Sequence, residues 1–456
     1  LINENETKTD YNYTKYNKDE DMEDNQAYKY AREVFFNLSD EELTYIRNDV
    51  IILAKSVLYY SKIFKGFDYE KITFTSNILA HYNNNELTNF QLLRRVSSGN
   101  SKLHLQFTDY KFNNENLYDY IKKYYSGGLN LYNTQYIGTI LDNLFSIDIN
   151  SSYPYVMHNF KVPTFLNFGE EFKTETKVKL DPYNDDIFYL YEMSRVKFDS
   201  EIIEKIESKV LKQIFVKYYG KHDNIYINSY SIRLLEYVTD IKIEELTLLS
   251  IMGFDCEYFG SREEISEAYF IKTQGDNDKL IKYNSPYDIK LTNEDNKNQF
   301  TREEVDNSKV ILNGLYGIPA LRPYFNLFRL VGDEIKNFEN GYKNNERNIV
   351  FSIFVTSVAL YNLLSPLHYI TPEEIDNNLI YMDTDSLYLK KDVFDNIPSD
   401  FYHDLHLGKW DIEHEQIEKM YVLNHKKYAI LINENNKKEI IVKCGGIPNE
   451  SFNRNM

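Results

Sequence analysis

The chain has 456 residues, with 52 lysines and arginines against 70 aspartates and glutamates, for a formal charge of −18. Its 42% apolar and 15% aromatic content excludes a disordered protein, and its length accommodates two to four domains with sizeable cores. With only Cys256 and Cys444 it can build neither a disulfide framework nor a four-cysteine zinc site, which favours a reducing compartment. Taken alone, a pI near 5.1 argues against a nucleic-acid partner, because polyanions usually meet a surplus of lysine and arginine.

Residues 1–26 carry eight acids against three lysines with no apolar periodicity and read as an acidic arm or loop. The chain opens on Leu1 without a signal sequence, as expected of a fragment or a processed product. From Ser39, a candidate N-cap with Glu42 three residues on, Leu43, Ile46, Val50, Leu53 and Val57 recur at helical spacing and predict a helix that packs against a partner. Phe145 to Asn150 alternates like a short strand. Residues 160–290 mix strand-like and helical pieces without a repeat, and 283–298 reads as a charged loop. A helix is predicted from about Arg302 to Tyr316. The run Ile349 to Leu364 is short for a membrane span and carries Ser, Thr and Asn, so a buried helix is predicted. Leu379 to Leu389 reads as a β-hairpin turning at Asp383 and Thr384, and Tyr421 to Ile430 and Glu439 to Cys444 read as extended. Without a regular βαβ rhythm, the pattern favours an α+β fold.

Three segments carry chemistry. Tyr381-Met-Asp-Thr-Asp-Ser386 places two short carboxylates on a tight turn, which suits a divalent cation with hard oxygen ligands, although an ordinary Asp-rich surface turn has the same spelling. Asp148 near the end of a strand, followed by Ser151-Ser152-Tyr153-Pro154, could complete a two-metal clamp for in-line phosphoryl displacement; the alternative is plain turn punctuation. Tyr153 could reject a 2′-hydroxyl on steric grounds. On the helix from Arg302, Lys309, Asn313, Tyr316 and Gly317 fall on one face, a cation, amide, ring and bare backbone that suit a triphosphate, a base and close approach of a strand. The same stripe could be the polar side of an amphipathic helix.

The segments DINSSYP, KVILNGLYG and YMDTDS closely resemble motifs A, B and C of family B DNA polymerases. Tyr125-Ser-Gly127-Gly128 resembles the family's Y-x-G-G motif, Lys426-Lys-Tyr428 its K-x-Y motif, and Tyr45 to Asp49 its third exonuclease motif. Lys443-Cys-Gly-Gly446 and two insertions point to the protein-primed branch of phages, adenoviruses and linear plasmids. Gly314 and Ser152 depart from the usual motif residues, small changes that should alter packing near the nucleotide more than metal chemistry.

The resemblance implies a right-hand polymerase with palm, fingers and the C-terminal remnant of a 3′-5′ exonuclease. The implied divisions are an acidic arm and exonuclease remnant (1–66), linker and first palm segment (67–159), first terminal-protein-type insertion (160–290), fingers (291–317), second insertion (318–348), second palm segment (349–442) and the start of a thumb (443–456). It implies catalytic Asp148, Asp383 and Asp385, with Asp148, the Ile149 carbonyl and Asp385 holding two Mg²⁺ ions, or Mn²⁺ in their place. Ser152, Tyr153, Lys297, Lys309, Asn313, Tyr316 and Gly317 would contact the nucleotide. Tyr125, Gly127, Gly128, Lys426 and Tyr428 would hold DNA. The partners implied are primer-template DNA, dNTPs and a terminal-protein primer, with no membrane. The setting would be the host-cell cytoplasm, or an organelle carrying a linear plasmid.

Tyr45 and Asp49 without upstream partners are not expected to proofread. A DxD glycosyltransferase would explain only the hairpin acids, a reverse transcriptase would place its acids adjacent, and a non-catalytic DNA-binding remnant is the non-enzymatic alternative. Local charge departs from the global sum: Lys309, Arg322 and Arg329 meet no acid within residues 307–332.

Overall fold

The computed structural model describes residues 111–273, 300–320, 325–331, 334–340, 348–403, 406–434 and 437–445, with residues 93–95 and 102–104 and part of 39–54. The chain divides into two compact units, one formed by residues 1–87 and 322–343 and the other by residues 88–321 and 344–456.

The larger unit holds the chemistry-bearing segments. Its central layer is a seven-stranded antiparallel sheet of β1 (Asn130–Tyr132), β2 (Ile140–Ile149), β3 (Leu379–Asp383), β4 (Ser386–Lys390), β5 (Trp410–Asn424), β6 (Lys427–Glu434) and β7 (Lys437–Cys444), in the order β7-β6-β5-β2-β4-β3-β1. Because side chains alternate along each strand, Ile147, Ile149, Met382, Leu387 and Leu389 enter the large core on one face. Leu144, Tyr381, Tyr388, Ile417 and Tyr428 form a smaller cluster on the other. The predicted strand at Phe145 is longer than expected, starting at Ile140.

Four helices pack against one another, the first of them following β2 directly: α1 (Ser152–Asn159), α2 (Arg262–Lys272), α3 (Arg302–Gly317) and α4 (Ile349–Leu364). The Ile349–Tyr369 segment has mean hydropathy 1.7 and is long and apolar enough to cross a membrane, but 83% of that window is buried. A helix apolar all round belongs in a core, and α4 packs against α1 and the strand Lys161–Lys179. Its first turn is capped by Asn348, whose Oδ1 accepts from the Phe351 N–H at 3.2 Å.

A six-stranded sheet occupies much of residues 93–258, with Lys161–Lys179 paired in parallel to Leu93–Arg95 and antiparallel to Glu245–Tyr258. Its helix Lys209–Tyr219 is tied to the central layer. The Asp376 carboxylate, on the Pro372–Asn378 helix, accepts from Ser208 Oγ (2.6 Å) and from the N–H groups of Lys209 (3.0 Å) and Val210 (2.9 Å). A carboxylate against those otherwise unsatisfied N–H groups stabilises the helix and fixes its direction.

In the smaller unit, helical residues occur between 40 and 54, and Phe325–Val331 pairs antiparallel with Glu334–Asn340. Of the predicted apolar stripe, Leu43, Ile46 and Val50 are exposed, and Leu53 and Val57 lie outside the described residues.

Candidate active site

Strand β2 carries Asp148 to its C-terminal end, directly opposite Ser386 on β4 and Asp411 on β5. The hairpin turns one residue later than the sequence suggests. Asp383 still pairs with Ser386 as the last residue of β3, and the reversal falls on Thr384 and Asp385 because Thr384 takes the left-handed conformation at φ 62°. The Asp385 N–H donates to the Asp383 carbonyl at 2.7 Å, and the Ile149 N–H donates to the Asp385 carbonyl at 2.9 Å. That second bond ties the turn to the strand beside Asp148.

Asp148 and Asp385 are half-buried, and both carboxyls are held above the usual carboxylate range. For Asp148 the main cause is burial, then the negative charge of Asp385; for Asp385 it is burial, then Asp383. Lys272 opposes both shifts without cancelling them. Two carboxylates crowded into a low-dielectric pocket leave negative charge that a divalent cation would neutralise, and their hard oxygens fit magnesium. Among the described residues no group of three or more His, Cys, Asp or Glu side chains closes a ready cage. Backbone carbonyl, water or substrate oxygens would supply the further ligands of such an ion.

Lys272 was missed by sequence reasoning, which placed the triphosphate lysine at Lys297, outside the described residues. Lys272 ends α2, donates from Nζ to Ser151 Oγ in the turn after β2, and feels both Asp148 and Asp385. Burial lowers its pKa. The available signal was its place at the end of a helical stretch, AYFIK, just before the polar loop. Helix α2 packs along α3.

On α3, Val305, Ser308, Leu312 and Leu315 face inward and Lys309 and Asn313 outward, while Tyr316 and Gly317, the other two members of the predicted stripe, are half-buried. Lys309 has an acid after all, since its Nζ lies 3.2 Å from Asp306 Oδ1, one turn before it and just outside the window read as acid-free. An exposed pair of this kind contributes little and leaves the lysine available. A methyl at Gly317 would meet nothing within 4 Å. The Tyr316 ring lies against that of Tyr153 of α1, with centroids 3.8 Å apart and planes tilted by 31°, and the Tyr316 carbonyl accepts from Ser352 Oγ at 2.6 Å. Ser152 is buried with no partner for its hydroxyl.

Tyr125 sits within electrostatic reach of Tyr316, at the start of the loop that reaches the catalytic turn. There the Thr384 N–H donates to the Leu129 carbonyl at 2.7 Å. At the opposite hairpin, Lys426 adopts φ 51°, its N–H donates to Tyr381 Oη at 2.9 Å, and its Nζ lies 3.7 Å from Asp383 Oδ1. Tyr428 is buried, its hydroxyl 2.9 Å from that of Tyr388. The Gly445 N–H closes this corner on the Lys426 carbonyl at 2.7 Å.

A cavity of about 290 Å³ opens beside the loop, lined by Gly127, Gly128, Asn130, Lys217, Lys221 and His425. Lys221 Nζ donates to Ser126 Oγ at 2.9 Å, and Lys217 Nζ donates to the Asn130 carbonyl at 2.8 Å and lies 2.8 Å from His425 Nε2. These lysines lie on and just after the helix that Asp376 caps, and nothing in the sequence marked them. Tyr45 and Asp49 lie outside the described residues.

Residues 1–404 match the family described as DNA polymerase type B, organellar and viral. The chain belongs to that family of DNA-directed DNA polymerases. Its fold is that of phi29 DNA polymerase. The phi29 enzyme complexed with single-stranded DNA aligns with a TM-score of 0.60 and 18% identity, over 93% of this chain and 68% of that one. The same enzyme complexed with primer-template DNA and incoming nucleotide substrates gives a TM-score of 0.56 at 18% identity and the same coverage. No curated protein sequence matches the chain. The family membership does not favour the nucleotide-sugar reading of the hairpin acids.

Proposed function

We propose that this chain transfers dNMP from dNTP to a primer 3′-hydroxyl, or to the hydroxyl of a terminal protein, with Asp148 and Asp385 as the metal-holding carboxylates. The observation that carries this reading is the pairing of two half-buried carboxylates from segments more than 230 residues apart, closed by the Ile149 to Asp385 backbone hydrogen bond. Two bound Mg²⁺ ions would supply charge neutralisation and activation of the attacking hydroxyl.

The remaining work belongs to the chain's own side chains. Lys272, half-buried against the Ser151 turn, holds its ammonium where triphosphate charge arrives, and Lys309 adds a second cation from α3. The tilted Tyr153–Tyr316 ring pair forms a wall for sugar and base, with Tyr153 excluding a 2′-hydroxyl. Gly127 and the Lys217–Lys221 cleft offer a backbone track and cations to template phosphates, while Lys426 and Tyr428 hold the primer terminus near Asp383.

The test is primer extension on a primed template with four dNTPs and Mg²⁺. Asp385→Ala abolishes incorporation, and full activity in that variant removes the assignment.

A further inference from the structure

We propose that Gly128 is a positioning residue for the catalytic turn. It is glycine because Thr384 fills the place of its side chain, and not because DNA needs the space. This rests on the polymerase reading and assigns Gly128 a different task from Gly127.

A Cβ on Gly128 would lie 2.7 Å from Thr384 Cγ2, 2.8 Å from Oγ1 and 3.1 Å from Cβ. A Cβ on Gly127 meets nothing within 4 Å. Of the two glycines, the first is open to a ligand and the second is closed by protein. Thr384 cannot yield cheaply. Its own Cβ is already in close contact, so rotating χ1 does not clear the clash, and a β-branched residue at φ 62° is already in a disfavoured region.

It is also tied on both sides, by its N–H to the Leu129 carbonyl (2.7 Å) and by Oγ1 to Asp383 Oδ1 (3.2 Å). Pushing residue 128 outward moves the neighbouring Leu129 carbonyl. Pushing Thr384 away moves Asp383 and the Asp385 N–H bonded to its carbonyl. Either route displaces Asp385 from Asp148. The position that would accept the change is 384 itself, since glycine there removes the clashing methyl and hydroxyl and suits the left-handed backbone.

The experiment compares Gly128→Ala, Thr384→Gly and the double variant in the full chain, with Gly127→Ala as the contrast. Three readouts are single-nucleotide incorporation, primer-template affinity by fluorescence anisotropy in EDTA, and the rise in Tm on adding Mn²⁺ alone. Gly128→Ala is expected to lose about 100-fold in kcat and most of the Mn²⁺ response, with DNA affinity within about threefold; adding Thr384→Gly restores both to within about tenfold of Thr384→Gly alone. Gly127→Ala is expected to weaken DNA binding and keep the Mn²⁺ response. The proposal is overturned if Gly128→Ala loses DNA affinity while its Mn²⁺ response stays whole, or if the double variant is no better than Gly128→Ala. A wild-type chain without incorporation would instead sink the polymerase reading, and the Mn²⁺ readout would still decide the role of Gly128.

Discussion

Asp148→Asn keeps the size of the side chain and removes its charge, so stability and catalysis should move in opposite directions. In the folded protein without metal, the Asp148 carboxyl is held above its unfolded value by burial and by Asp385. A raised carboxyl pKa means that the native state binds more protons than the unfolded chain above about pH 4, so stability falls as pH rises through that window. Asparagine has no charge to bury. It also forfeits attraction to Lys272, which trims the gain. At pH 8 in EDTA the variant should be more stable by about 1–3 kcal/mol, a rise of several degrees in Tm, and the gain should disappear near pH 4 to 5. Saturating Mg²⁺ should raise the Tm of the wild type more than that of the variant. Incorporation should fall at least about 1,000-fold, because about 4 kcal/mol of transition-state stabilisation depends on the metal-holding carboxylate. Thermal melts at pH 5 and 8, with and without Mg²⁺, beside primer extension, check both signs. A variant destabilised at pH 8 in EDTA, or one within tenfold of wild-type incorporation, would refute the reasoning.

Lys272→Ala should raise KM for dNTP by about 10- to 100-fold and leave primer-template affinity unchanged, read by steady-state incorporation and anisotropy; an unchanged KM removes the lysine from the nucleotide site. Lys217→Ala and Lys221→Ala should each weaken primer-template binding and lower the slope of log affinity against log salt by about one. A slope equal to that of the wild type in both variants would show that the cleft carries no phosphate.

Much of this arrangement was legible in the residues themselves. The apolar run from Ile349 to Leu364 forms a helix with those bounds, because a segment apolar on every side has only a core to occupy. The helix from Arg302 shows the predicted outward Lys309 and Asn313, since a period of 3.6 sets faces locally. The acids Asp148, Asp383 and Asp385 were readable as motif residues with fixed neighbours. The global charge of −18 misled, because a sum over the chain says nothing of where the cations gather.

What only the tertiary structure decided are contacts between segments far apart in sequence. Lys272 meets Ser151 across 121 residues, Lys221 meets Ser126 across 95, and Lys217 meets His425 across 208. No local periodicity encodes such pairs; they follow from sheet register, from the Asp376 cap that aims one helix at the cleft, and from the packing of α2 on α3. The two glycines at 127 and 128 are identical letters in the sequence. One opens on empty space and the other touches Thr384, because a hairpin 256 residues later folds back against that loop.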